Sequence, residues 1–340
     1  MKNLKILLGV LSLVLAILIT GCSGKSPVET SEETASPSPE ATQSATPTPS
    51  EEPQVPLVAN PGSVEIGSTV VTAEWIKLPE PVFSPGANSG MTIIGDTLYL
   101  TIQGELVSAK IVDGALTYTK KVPINSSNMV LSADSNNTIY VSNGVLEPDL
   151  FDADLNPLGR GSVKGNIIMS ENWGIAYWRD NDVQILTGTD AGATAAPWVL
   201  SNLKDDGRAG PFKMIDTISI MNDHVLVGGD IAETKDSRLV VYDKSGKEIM
   251  STTRFKRAKP SILAEGNNGY ISGTTGTLEF WDKNGGILAA PKEVIKDLFG
   301  VPSIWPSAIV REKDGSFLIL CSAYPNQNQS ELMLFRIKGF

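Results

Sequence analysis

The chain has 340 residues, a formal net charge of −10 and an isoelectric point near 4.8. The acidic balance argues against a nucleic-acid partner, because phosphates would be repelled. Two cysteines and one histidine exclude a disulfide-built scaffold and the zinc sites that need two or three histidines.

Lys2 and Lys5 precede an apolar run, Ile6 to Ile19, of 14 residues interrupted by Gly9 and Ser12. A spanning helix needs about 20 apolar residues, so the run is read as a secretion signal. Its end, Leu18-Ile19-Thr20-Gly21-Cys22, resembles the bacterial lipobox. That resemblance implies cleavage after Gly21, leaving residues 1–21 as the signal peptide. It also implies a diacylglyceryl group on the Cys22 thiol, and hence a palmitate-type lipoprotein. Acyl chains hold a protein to a bilayer by about 0.8 kcal/mol per buried methylene. The expected address is therefore the cell membrane, lipid-anchored, on the extracytoplasmic side.

Residues 22–57 are read as the lipidated cysteine and a disordered linker. From 23 to 57 there are seven prolines, twelve Ser/Thr, six Glu, one Lys and no aromatic residue. Such a segment buries too little apolar surface to offset the entropy of ordering it. Proline and like charge favour extended forms, so the linker is expected to hold a domain away from the membrane.

From 58 to 340 short apolar runs recur between Asn, Asp and Gly turns. Gly95-Asp96, Asn136-Asn137, Trp173-Gly174, Asn222-Asp223, Asn268-Gly269 and Asp314-Gly315 stand at intervals of about 36 to 50 residues. Each precedes a strand-like run: LYLTI, TIYVS, IAYW, HVLVGG, YISG and FLILC. Repeats of that size point to a β-propeller. The turns Asp243-Lys-Ser-Gly246 and Asp282-Lys-Asn-Gly285 suit tight hairpins. Expected fourth strands are ALTYTKK, PLGRGS, APWVL, KEIMST and ILAAP.

The sixth repeat lacks a fourth strand, and VVTAEWIKL (70–78) is expected to supply it and close the ring. Runs such as RLVVYD and FLILC are apolar on both faces, as blades wedged between neighbours require. The expectation is an all-β, six-bladed propeller of four-stranded blades, closed by an N-terminal strand. Seven blades are the alternative if 57–70 or 185–215 holds another. PKEVIKDLFG (291–300) is the one expected short helix.

LEFWDKNGGIL, RLVVYDKSGKEI and NNTIYVS resemble strand motifs of NHL-type six-bladed propellers over about residues 70–340. The resemblance implies a fold and little about activity. The Gly-His signature of WD repeats is absent from the sequence, and Trp-Asp occurs once, at Trp281-Asp282, without recurring from repeat to repeat.

No catalytic residue is assigned, no metal ligand and no cofactor. Asp152-Ala-Asp154-Leu-Asn156 opens like an EF-hand loop, but Pro157 and Val163 stand where that loop needs Gly and Glu. A hairpin is the preferred reading there. Cys321 is read as a core thiol and His224 as structural. The usual propeller layout gathers loops on one face, where sites concentrate. Those loops would offer Asp180, Asp182, Asp205, Asp206, Asp230, Trp305 and Tyr324 for ligand binding.

The leading expectation is a binding or scaffolding module for an envelope protein or glycan. Alternatives are a glycan-active hydrolase or lyase using paired loop-face carboxylates, and a sensor or assembly component.

Overall fold

The structure is a computed structural model. It describes residues 56–83, 89–125, 129–170, 173–177, 183–187, 195–197, 212, 214–221, 224–230, 236–243, 246–254, 260–274, 276–289, 294–326 and 329–340. The signal, Cys22 and nearly all of the linker lie outside the described residues. Pro53–Phe340 is one compact unit.

Two strands come first, β1 (Ser63–Ile66) and β2 (Thr69–Ile76). Sheets then follow in chain order. The first is β3 (Met91–Ile94), β4 (Thr97–Ile102), β5 (Glu105–Val112) and β6 (Ala115–Pro123). The second is β7 (Val130–Ala133), β8 (Ile139–Ser142), β9 (Asp149–Phe151) and β10 (Pro157–Arg160). The third is β11 (Asn166–Ser170), β12 (Trp173–Tyr177), β13 (Val183–Thr187) and β14 (Ala195–Pro197). The fourth is β15 (Met214–Met221), β16 (His224–Asp230), β17 (Ser237–Asp243) and β18 (Glu248–Arg254). Next come β19 (Pro260–Glu265), β20 (Gly269–Thr274) and β21 (Thr277–Asp282). The last three strands are β22 (Ile304–Arg311), β23 (Phe317–Asn326) and β24 (Gln329–Lys338).

All strand pairs within the sheets are antiparallel, and the first strands β3, β7, β11, β15, β19 and β22 neighbour one another in a closed circuit. This is a β-propeller. Hydroxyls stitch the circuit together. Ser132 Oγ donates to Ile167 O at 2.7 Å, and Ser261 Oγ to Pro306 O at 2.6 Å.

The expected closing strand is there. β2 pairs with β24 from Thr72↔Lys338 to Ile76↔Leu334, and β1 adds a fifth strand outside β2. Residues 57–70 therefore extend the last sheet and form no additional blade, and β14 within 185–215 belongs to the third sheet. The seven-blade alternative falls on that topology.

Six four-stranded blades were also expected, and this needs correction. Among the described residues five blades have four or more strands, and β19–β21 forms a sheet of three. Among the described residues of ILAAP a Trp281–Ile287 bridge forms, with the Leu288 N–H donating to Phe280 O at 2.8 Å. The chain then leaves the sheet edge for a π-helical turn, Ile295–Phe299. Ile295, Leu298 and Phe299 pack into the cluster that holds Leu278 and Phe280. The turn itself lies against β1 and β2, and the Gly62 N–H donates to Leu298 O at 2.9 Å. Gly300 ends the turn at φ 67°, and a Cβ there would run into the carbonyl of Asn60.

The recurrent Asp turns have one construction. Oδ1 of Asp152, Asp243 and Asp282 accepts the N–H four residues on, from Asn156 at 2.8 Å, Lys247 at 3.0 Å and Gly286 at 2.8 Å. The residue before that donor has positive φ: Leu155, Gly246 and Gly285. Leucine adopts φ 58° there with its side chain buried in the core of the second sheet. Such burial is worth roughly 1.5–3 kcal/mol, enough to offset the left-handed backbone.

An ion-pair cluster fastens the closure. Arg336 on β24 donates Nε to Glu312 Oε2 at 2.6 Å and Nη2 to Oε1 at 2.9 Å. Its Nη1 reaches Glu74 on β2 at 3.3 Å. Among the described residues no helix is long and apolar enough to cross a membrane.

Candidate functional site

Antiparallel order gives the ring two unlike ends. Connections from second to third strand, and from sheet to sheet, lie at the loop end. Hairpins joining first to second and third to fourth strands lie at the turn end.

At the loop end, β22 begins with Ile304 and Trp305, and β23 approaches its hairpin through Tyr324. The register Ile304↔Ala323 and Trp305↔Ser322 sets the two rings side by side. Their centroids are 5.0 Å apart, tilted by 45°. Trp305 is 42% exposed, a large apolar surface left to solvent. Tyr324 is fixed through its N–H, which donates to Ser303 O at 3.0 Å.

The folded unit starts beside them. Leu57 N–H donates to Oε2 of Glu331 at 2.6 Å, and Glu331 is 5% exposed. Glu331 pairs with Ala323, next to Tyr324.

The other expected site residues are not in this constellation. Asp230 ends β16, opposite Met214 and Ser237, and the β19–β21 sheet separates it from β22. Asp180, Asp182, Asp205 and Asp206 lie outside the described residues.

Along the axis runs a channel of about 340 Å³, lined by all six first strands. Every one of those strands contributes a hydroxyl: Thr92, Ser132, Ser170, Thr217 with Ser219, Ser261 and Ser307. Thr92 and Thr217 are each 8% exposed. The signal was in the sequence, as a Ser or Thr within MTII, VLSA, NIIMS, TISI, PSIL and PSAI. It reads as ordinary strand chemistry until the ring brings the six together.

The turn end carries a charged cluster between two sheets. Nδ1 of His224 on β16 lies 2.8 Å from Glu265 Oε2, and Lys283 Nζ donates to Oε1 at 2.8 Å. Glu265 ends β19 and is 5% exposed. Burial alone would raise its carboxyl, but the hydrogen bonds and charges of Lys283 and His224 outweigh that and hold it below the usual value. Lys283 also sits 4.7 Å above the Tyr270 ring. His224 is thus a bridge between sheets.

Two sequence motifs resolve into structure. The Asp152 carboxylate accepts from the backbone and side-chain amides of Asn156 at 2.8 and 2.9 Å. Those bonds lower its carboxyl and build the hairpin. Cys321 is fully buried in the core, and burial pushes its thiol well up. Among the described residues no group of three His, Cys, Asp or Glu is placed to hold a metal.

No family model matches the sequence, and no curated protein matches it. Solved structures do resemble it. The WD40 repeats of RRP9 have a TM-score of 0.49 at 7% identity, with 78% of this chain and 98% of that one covered. The Cps50 (Swd1) β-propeller domain of Myceliophteria thermophila has 0.45 at 13%, covering 76% and 85%. The computationally designed Ika8 protein has 0.41 at 12%, covering 76% and 98%. The fold rests on the sheet topology of this chain, which makes it a β-propeller.

Proposed function

We propose that the chain is a membrane-anchored, extracytoplasmic binding or scaffolding module whose loop end contacts an envelope protein or glycan. The observation that carries this is the Trp305–Tyr324 pair, two rings 5.0 Å apart with Trp305 exposed. Aromatic anchors of this kind dominate recognition energetics, because they offer large area at small entropic cost. A rigid ring of sheets holds the pair in place before any ligand arrives. Anchoring rests on the sequence around Cys22, and the linker supplies reach.

The test is affinity capture from envelope fractions with the full-length chain and its Trp305→Ala variant. The reading predicts a saturable partner lost with Trp305→Ala at unchanged thermal stability. Equal capture by both chains would overturn it. The glycan-active alternative turns on paired acids among Asp180, Asp182, Asp205, Asp206 and Asp230, of which Asp230 alone lies among the described residues, so no pair has a geometry there.

A further inference from the structure

The axial channel combines three properties. Its volume, about 340 Å³, falls in the range of small-molecule sites. Its wall alternates hydroxyls with aliphatic groups such as Val130, Ile168 and Ile309.

The hydroxyls divide into two sets. Ser132, Ser261 and Ser307 donate to main-chain carbonyls, so toward the channel their oxygens can only accept. Thr92, Ser170, Thr217 and Ser219 have no side-chain hydrogen bond among the described residues, although Thr92 and Thr217 are more than nine-tenths buried. None of these four oxygens is among the fully buried side-chain atoms that lack a partner, so each is open to solvent in the channel and free to donate or accept toward an occupant.

Charge narrows the ligand further. No carboxylate appears among the described lining residues, and the one cation, Arg311, donates to Asn267 Oδ1 at 2.8 Å. Among the described lining residues a bare cation would find no counter-charge, and an anion would have to compete for a guanidinium already engaged. A molecule with many hydroxyls and apolar C–H faces matches both kinds of wall.

We propose that this channel binds a small, uncharged polyhydroxylated molecule, of the size and chemistry of a monosaccharide or cyclic polyol. The site is separate from the loop-end surface. It would let the ring sense or store a small solute while its loop end holds a larger partner.

The test is isothermal titration of the full-length chain with glucose, galactose, N-acetylglucosamine and inositol. Glucuronate and glucosamine serve as charged counterparts. The expected result is saturable one-to-one binding of at least one neutral probe, tighter than its charged counterparts. Thr92→Val and Thr217→Val should each weaken it about 3- to 10-fold, the worth of a neutral hydrogen bond. Trp305→Ala should leave it unchanged. The two threonines lie on different sheets, so a folding defect in one variant leaves the other as readout. Absence of saturable binding by every neutral probe, tighter binding of a charged one, indifference to a folded valine variant, or loss with Trp305→Ala would each overturn the proposal.

Discussion

Nδ1 of His224 and Oε2 of Glu265 meet at 2.8 Å across the seam between two sheets, from positions 41 residues apart in the chain. With Lys283 on the other oxygen, each carboxylate oxygen is held by a side chain while the residue itself is buried. Removing its charge should therefore be felt as stability. Glu265→Gln keeps the shape and loses the charged acceptor, a cost of about 1.5–3 kcal/mol. That corresponds to a few degrees of melting temperature for a domain of this size. The pH dependence has a definite sign. The folded carboxyl lies below its ordinary 4.5, so the folded state holds that proton less tightly than the unfolded chain. The stabilisation is complete above the unfolded value and lost as pH falls through the folded one. Melting curves of wild type and Glu265→Gln should differ at pH 7 and converge in acid; a constant difference down to pH 3 would reject this.

Ring closure rests on main-chain pairing between β2 and β24, reinforced by Arg336. Its guanidinium holds Glu312 with two bonds and Glu74 with one. Arg336→Met should cost about 1–3 kcal/mol. Hydrogen exchange should then speed up first in Thr69–Ile76. Uniform acceleration over all sheets would show that Arg336 supports the whole fold and not its seam.

Cys321 is fully buried, and its thiol is pushed up by burial. In a Cys22→Ala chain it is the sole thiol. A maleimide should leave it unmodified under native conditions and label it once denaturant opens the core. Rapid native labelling would contradict this packing.

The lipid anchor makes its own prediction. Metabolic labelling with a fatty-acid probe should mark the wild-type chain and not Cys22→Ala, which should also remain unprocessed or be released. Equal labelling of both would remove the anchor.

Much of the fold was legible because propeller strands repeat their punctuation. The pairs Gly95-Asp96, Asn136-Asn137 and Asn222-Asp223 before LYLTI, TIYVS and HVLVGG announce β4, β8 and β16, and the spare strand at 70–78 became the closure at β2. ILAAP misled because an apolar run after KNGG suits a fourth strand equally well. Packing of Ile295, Leu298 and Phe299 decided otherwise, and that depends on partners distant in sequence. The site was less legible for the same reason. Trp305 and Tyr324 could be placed on one face, but nothing local says that their rings touch. The channel hydroxyls and the His224–Glu265 bridge join residues of different sheets, which only the closed ring brings together.

The loop end as binding surface is tested most directly by placing a photo-crosslinking amino acid at position 305 of the full-length chain in its native envelope, with position 283 at the turn end as the comparison. The account predicts a discrete crosslinked envelope protein or glycan from 305 and none from 283. Crosslinking from 283 alone, or equally from both positions, would contradict it.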